Sequence, residues 1–132
     1  MKRGTLKKKS SLGQFQKQAD SLLQRINIQN NKKCESCGGA TQVGHHWIEK
    51  SRSSNLRYNF DNLIPLCNPC HAKIHNVFGN NIIGGVNIAQ VIIKKRGNKW
   101  KERMEIEGRM IIKVNKWYYE GVIERLTNLL CT

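Results

Sequence analysis

The stretch CESCGGATQVGHHWIEKSRSSNLRYNFDNLIPLCNPCHAKIH, residues 34–75, decides how this 132-residue chain is read. It holds two CxxC pairs, Cys34/Cys37 and Cys67/Cys70, with 29 residues between Cys37 and Cys67. A CxxC turn lets two sulfurs reach one ion, and Gly38 and Gly39 give the first turn its freedom. Two such turns complete a tetrahedral four-thiolate zinc site. A redox CxxC needs a βαβ setting, which the surrounding residues do not offer, and one pair would suffice for it. Structural zinc contributes on the order of 10–16 kcal/mol in small finger peptides, enough to decide whether so small a core folds.

All four histidines lie in the same stretch: His45, His46, His71 and His75. Asn68-Pro69 reads as a helix start, an Asn cap followed by Pro at the first helical position. A helix from Pro69 puts His71 and His75 four residues apart on one face, where they can chelate one ion. Residues 41–48, with Val43, Trp47 and Ile48, have strand character. Neighbours on a strand point to opposite faces, so His45 and His46 diverge unless the strand end bends there. A bend would let one imidazole bind metal and leave the other to take a proton, the division of labour that metal-assisted hydrolysis requires.

Working outward, 23 basic residues against 9 acidic ones give a net charge of +14 and a pI near 9.9. Such an excess favours a polyanionic partner, nucleic acid first. The hydrophobic share of 39% is low, so an apolar core is thin and a metal staple helps it fold. No apolar run approaches the roughly 18 residues of a membrane span. The start, MKRGTLKKKSS, is basic without a following apolar segment, which is not the pattern of a secretory signal. A reducing cytoplasmic setting is expected, and there CxxC pairs bind metal more often than they form disulfides. Cys131, the fifth cysteine, is read as a bystander.

Residues 1–11 read as a flexible basic arm able to contact phosphates. Leu12, Phe15, Ala19, Leu22, Leu23 and Ile26 recur at helical spacing, and the polar run QNNKK ends that helix. Residues 76–85, rich in Asn and Gly, read as a loop. A short helix over 86–95 stops at Gly97, and the charged residues 98–108 are weakly helical. Residues 110–130 carry a further helical face through Val114, Trp117, Tyr118, Val122, Leu126 and Leu129. Trp117, Tyr118 and Tyr119 are of a type that can touch nucleic acid, but are read as core aromatics, since at least two lie on that apolar face, and Trp47 as core packing beside the histidines.

Residues 34–75 resemble the HNH nuclease motif, also called the ββα-metal fold. In that family a histidine base ends the first strand, an Asn lies near the second, and metal-binding histidines sit on the helix. The spacing here, with Asn62 nine residues before His71 and His71 four before His75, is similar to that of the His-rich, colicin-type DNases. The resemblance implies an α+β fold: a ββα-metal HNH core (31–78) stapled by the four-cysteine zinc site and flanked by amphipathic helices (12–30 and 79–132). It also implies that His46 is the general base, that His45, His71 and His75 bind a catalytic divalent ion, and that Asn62 bonds backbone and holds the base-bearing loop. HNH enzymes commonly use Mg2+ or Mn2+. Three imidazoles suit Zn2+, Ni2+, Mn2+ or Co2+ better than Mg2+.

A wider resemblance, to the phage recombination protein NinG (Rap) family, rests on residues 34–38, 44–47 and 56–58, on Asn62 and on residues 67–70. Gly97 and the terminal Trp-Tyr helix are also similar. That family cuts branched recombination intermediates. It often lacks a histidine at the place of His45 and has Asn at the place of His71. The expected function is a metal-dependent DNA endonuclease of phage or prophage type, acting on duplex or branched DNA in the host cytoplasm. Lys50, Arg52 and Arg57, between the motif halves, are expected to hold flanking phosphates. A junction-resolving enzyme needs two active sites and hence a homodimer, for which residues 110–130 are one interface, though they can equally pack on the core. The rival reading is a non-catalytic zinc-stapled nucleic-acid-binding module. It accounts for the charge and the cysteines but leaves His45, His46 and His75 without a reason. A structural adaptor in phage head assembly would need a partner surface that the sequence does not display.

Overall fold

Residues 10–75, 82–83 and 86–131 are described by the structure, a computed structural model. Residues 1–9 of the arm expected over 1–11, and much of the Asn/Gly-rich loop, lie outside them, while Ser10 and Ser11 belong to the first helix. The expected α+β architecture is present. Helix α1 (Ser10–Asn30) leads into strand β1 (Val43–His46), a 3-10 turn (Phe60–Asn62), strand β2 (Leu63–Leu66) and helix α2 (Asn68–Ile74). The short strands β3 (Ile82–Ile83) and β4 (Val86–Asn87) follow, then helices α3 (Ile88–Arg96), α4 (Asn98–Gly108) and α5 (Lys116–Cys131). Among the described residues no helix is long and apolar enough to cross a membrane.

The antiparallel β1–β2 pair is the centre of the molecule, in the register Val43↔Leu66, Gly44↔Pro65, His45↔Ile64 and His46↔Leu63. All four residues of β2 are buried. The strand period of two sends its side chains in two directions, which divides the core. Ile64 and Leu66 join Leu56, Ile88, Ile92, Trp100 and Met104 together with three of the four CxxC cysteines. Leu63 joins the other cluster, in which Ala19, Leu22, Leu23 and Ile26 of α1 meet Tyr119, Val122 and Leu126 of α5. Full burial of each such aliphatic side chain stabilises by about 1.5–3 kcal/mol.

Gly44 marks where α1 meets β1. A Cβ there would lie 2.9 Å from Leu63 Cγ and 3.0 Å from Asn27 Nδ2, so only glycine permits the approach. Pro65, opposite Gly44, sits at a non-hydrogen-bonded position of the ladder, so its missing N–H costs β1 nothing, and its carbonyl, turned away from β1, accepts from Glu35 N at 2.8 Å. Arg96 of α3 grips the Glu35 carboxylate at 2.7 Å and reaches the Leu63 carbonyl at 3.2 Å, tying the first CxxC turn to β2.

Four expectations are corrected. The terminal helix begins at Lys116, not near Met110. Asn115 supplies the reason: its Oδ1 accepts from Tyr118 N at 2.9 Å and its carbonyl from Tyr119 N at 3.1 Å, the two bonds of an N-cap. Residues 86–87 are strand, because the Asn87 side chain caps α3 by accepting from Gln90 N at 3.0 Å. Trp117 is not a core aromatic. The buried face of α5 runs through Tyr119, Val122 and Leu126, and leaves Trp117 81% exposed. Residues 98–108 are fully helical, their charge notwithstanding, because Trp100 and Met104 lie four apart on one buried face.

Candidate active site

The two CxxC turns face one another. Gly38 holds φ at +81°, a conformation that a side chain would resist, and Gly39 N lies 3.4 Å from Cys37 Sγ. All four sulfurs lie within 4.8 Å of one another, and the Cys37 and Cys67 sulfurs are 3.6 Å apart. Zinc with bonds of about 2.3 Å to each sulfur places them about 3.8 Å apart, so the turns fit that ion. The chemistry of the thiols agrees. Burial opposes ionisation of Cys34, but backbone N–H groups, that of Cys37 foremost, outweigh it and bring Cys34 down to about 7. Burial pushes Cys67 and Cys70 up. A cation among the four sulfurs favours their thiolate forms against that burial.

Helix α2 starts inside this frame, with Cys67 as its cap residue, Cys70 in its first turn and Pro69 at its N-terminus. Its length carries His71 and His75 to the end of β1. There the ring nitrogens of His45, His71 and His75 lie within 4.8 Å of one another. The ring centroids are 4.6 Å apart for His45–His75 and His71–His75, and 5.4 Å for His45–His71, all edge to face. Burial, then the neighbouring His75, His71 and His46, bring His45 down to about 3. Burial and His75 lower His71 as well. Imidazoles kept neutral in this way present lone pairs, which is what a metal ligand needs. No carboxylate joins the trio among the described residues, and an all-imidazole set fits Zn2+, Ni2+, Co2+ or Mn2+ better than Mg2+.

His46 leaves β1 on the other face. Its pairing with Leu63 is regular, so no bulge separates it from His45; the strand alternation does. His46 Nε2 lies 2.9 Å from the Arg57 carbonyl. A carbonyl only accepts, so Nε2 carries the proton and Nδ1 holds the free lone pair. Burial, and then the charges of Lys50 and Arg57, lower its pKa against the opposing pull of that carbonyl. Both His45 and His46 line a cavity of about 360 Å³ with His71, His75, Lys50 and Glu49.

The backbone on either side of His46 is clamped. Asn62 is fully buried, and its amide accepts from Ile48 N at 2.8 Å and donates to Ile48 O at 3.0 Å. Gln24 of α1 does the same one strand-turn earlier, accepting from Gly44 N at 2.7 Å and donating to Gly44 O at 3.0 Å. Four residues before Gln24, Asp20 takes two bonds from Arg57, at 3.1 and 2.8 Å, and one from the Tyr58 hydroxyl at 2.8 Å. Asp20 thereby fixes the residue whose carbonyl holds His46. Arg57, expected to hold phosphate, has its guanidinium engaged by this carboxylate. Lys50 is exposed at the cavity, and Arg52 is exposed beside a separate hollow with Arg109.

Sequence reading missed Asp20 and Gln24, because their partners lie 37 and 20 residues away. One signal was available: Asp20 is the sole carboxylate in the first 34 residues. Burial alone would raise its pKa, but the hydrogen bonds from Arg57 and Tyr58 and the guanidinium charge outweigh it and hold it below its usual value. Asp20→Asn should therefore destabilise the protein by about 1–3 kcal/mol at pH 7. A depressed folded-state pKa stabilises above the unfolded value of about 3.9, and that contribution fades as pH falls through the folded value. Urea unfolding of both proteins from pH 7 downward checks this, and the gap between them should close in acid.

With this geometry in view, the comparison with known families is specific. Residues 34–77 match the family model for HNH endonuclease. The match covers about a third of the chain and includes both CxxC pairs, all four histidines and Asn62. No curated protein and no solved structure gives a match. An HNH endonuclease domain implies nuclease activity in general and a nucleic-acid substrate. Helix α1, with Asp20 and Gln24, lies outside the matched segment.

Proposed function

We propose that this protein is a metal-dependent DNA endonuclease in which His46 is the general base. The observation that carries the reading is the position of His46: it shares one cavity with the three clustered imidazoles, and its Nε2 is occupied by the Arg57 carbonyl. In this reading His46 Nδ1 takes the proton from a water molecule, whose oxygen forms the new bond to phosphorus. The bond from phosphorus to the 3′ oxygen breaks, the leaving oxygen gains a proton from solvent, and the products carry a 5′ phosphate and a 3′ hydroxyl. A divalent ion held by His45, His71 and His75 supplies positive charge for the phosphate and the leaving oxygen. Asn62 and Gln24 fix the backbone on either side of the base, which keeps its Nδ1 aimed without reorganisation. Lys50 at the cavity and the excess of positive charge draw the phosphate backbone in.

The zinc reading of the four-cysteine site belongs to the same proposal, as does the unit of residues 31–78 that the site staples. The resemblance to the NinG (Rap) family supports a phage or prophage setting and a branched DNA substrate. A homodimer would provide two cuts across such a branch.

The test is cleavage of supercoiled plasmid, linear duplex and four-way junction by protein treated with chelator mildly enough to keep its cysteine-bound zinc, as checked by elemental analysis and circular dichroism, and then given Mg2+, Mn2+, Zn2+ or Ni2+. Cleavage should return with metal and leave 5′ phosphates. If no metal restores cleavage while DNA is still bound, the protein is a zinc-stapled binding module instead.

A further inference from the structure

We propose that the cleft beside α5 holds an unpaired nucleobase of the substrate strand, stacked on Trp117. The proposal rests on the nuclease reading and adds to it a preference for strands that are unpaired near the cut.

Trp117 projects from the first turn of α5 with 81% of its surface exposed, and its indole has no hydrogen-bond or ring partner among the described residues. A single exposed apolar residue is ordinary on a protein surface; what sets Trp117 apart is the cleft beside it. That cleft, of about 690 Å³, also receives Phe60, Tyr118 and Arg125. Aromatic faces with a cation alongside are what sequence-tolerant binding of single-stranded nucleic acid uses, since every base has a π-face. Arg125 makes no ion pair among the described residues; its only bond there is a long one to the Tyr58 carbonyl at 3.4 Å. The acidic residue of the cleft, Asp61, is neutralised by Arg103 at 3.0 Å.

Continuity with the histidine cavity identifies the occupant. Tyr58 and Tyr118 line both this cleft and a second hollow, which Lys50 and Ser51 line as well. Lys50 and Ser51 also line the cavity of His45 and His46. Three recesses with shared lining residues thus lie between the base and Trp117, and Lys50, on the two nearer the histidines, can meet phosphate. One strand whose scissile phosphate lies at His46 can follow them. A base paired in a duplex cannot turn its face onto Trp117, whereas an unpaired one can.

The experiment measures binding by fluorescence anisotropy in the His46→Ala background, using a labelled single strand and a blunt duplex of the same sequence. Into that background go Trp117→Ala and Trp117→Phe. Cleavage of a paired and a partly unpaired substrate is measured in parallel with His46 intact. Trp117→Ala should weaken single-strand binding by roughly tenfold and duplex binding by less than about twofold, with Trp117→Phe restoring most of the loss. Cleavage of the unpaired substrate should fall by a similar factor. Equal loss on both nucleic acids, or loss on neither, overturns the proposal. So does conversion of a dimer to a monomer by Trp117→Ala with single-strand affinity unchanged, which would make the face an interface between copies. The two readings fail separately. If no substrate is cut by any protein while Trp117 still discriminates single strand from duplex, the nuclease reading falls and the base site stands. If cleavage persists but its paired-to-unpaired ratio is the same with and without Trp117, the base site falls.

Discussion

His46→Ala should abolish cleavage while DNA affinity and fold are retained. A positioned general base contributes about 10²–10⁴-fold to rate, and among the described residues no other group stands ready to replace it. His45, His71 and His75 turn their nitrogens toward one another, and Glu49 is exposed at the rim. The ring itself adds little to stability, since it is half-buried and makes one hydrogen bond, to the Arg57 carbonyl. Single-turnover nicking of plasmid, with anisotropy for binding and thermal melting for fold, checks the three statements together. A variant that cuts within about threefold of wild type removes His46 from the mechanism. The pH profile carries a sign as well. Burial, Lys50 and Arg57 lower the His46 pKa, so the reactive neutral form should persist below the ordinary histidine value of about 6.5. The rate should rise with pH, with its inflection under that value, and a cation held by the neighbouring trio moves it further the same way.

Cys67→Ser should unfold the protein rather than only weaken it. Small domains are stable by about 5–15 kcal/mol, and a structural zinc site is worth about 10–16 kcal/mol, so losing a ligand removes an amount comparable to the whole. The placement of the site makes the loss global. Cys34, Cys67 and Cys70 are members of the same buried cluster as Ile64, Ile88 and Met104. Cys67 and Cys70 also begin the helix that carries His71 and His75. Elemental analysis should find zinc in the wild type with no metal added, and less in Cys67→Ser. Circular dichroism should then show a cooperative melt in the first protein and none in the second. A melt that is unchanged while the zinc is gone would reduce the site to an ornament of the fold.

The core of residues 34–75 was legible because metal chemistry restricts spacing. CxxC turns and a His pair four apart on a Pro-started helix have few other uses, and the alternation of His45 and His46 follows from strand geometry alone. The ends of elements were less legible. Residues 110–114 are apolar enough to extend the helical period of α5, and only the cap bonds of Asn115 show where it begins. Trp117 was misread because periodicity over a segment that started too early rotates the inferred face. The contacts of Asp20 and Gln24 were not legible, since they depend on how α1 lies across β1, a packing settled by Gly44 and by the apolar face shared with α5. Local pattern carries no such information.

The clamp of Gln24 on Gly44 has a consequence for how the molecule behaves in a crowded solution. Among the described residues β1 pairs with β2 on one side alone, so without α1 its outer side would be an open strand edge. Such an edge can template pairing with another chain and begin aggregation. Gln24 fills both backbone positions of Gly44 on that side with its own amide, imitating a third strand one residue long. A two-stranded sheet too small to hide its edges is thereby kept from growing by addition of a neighbour.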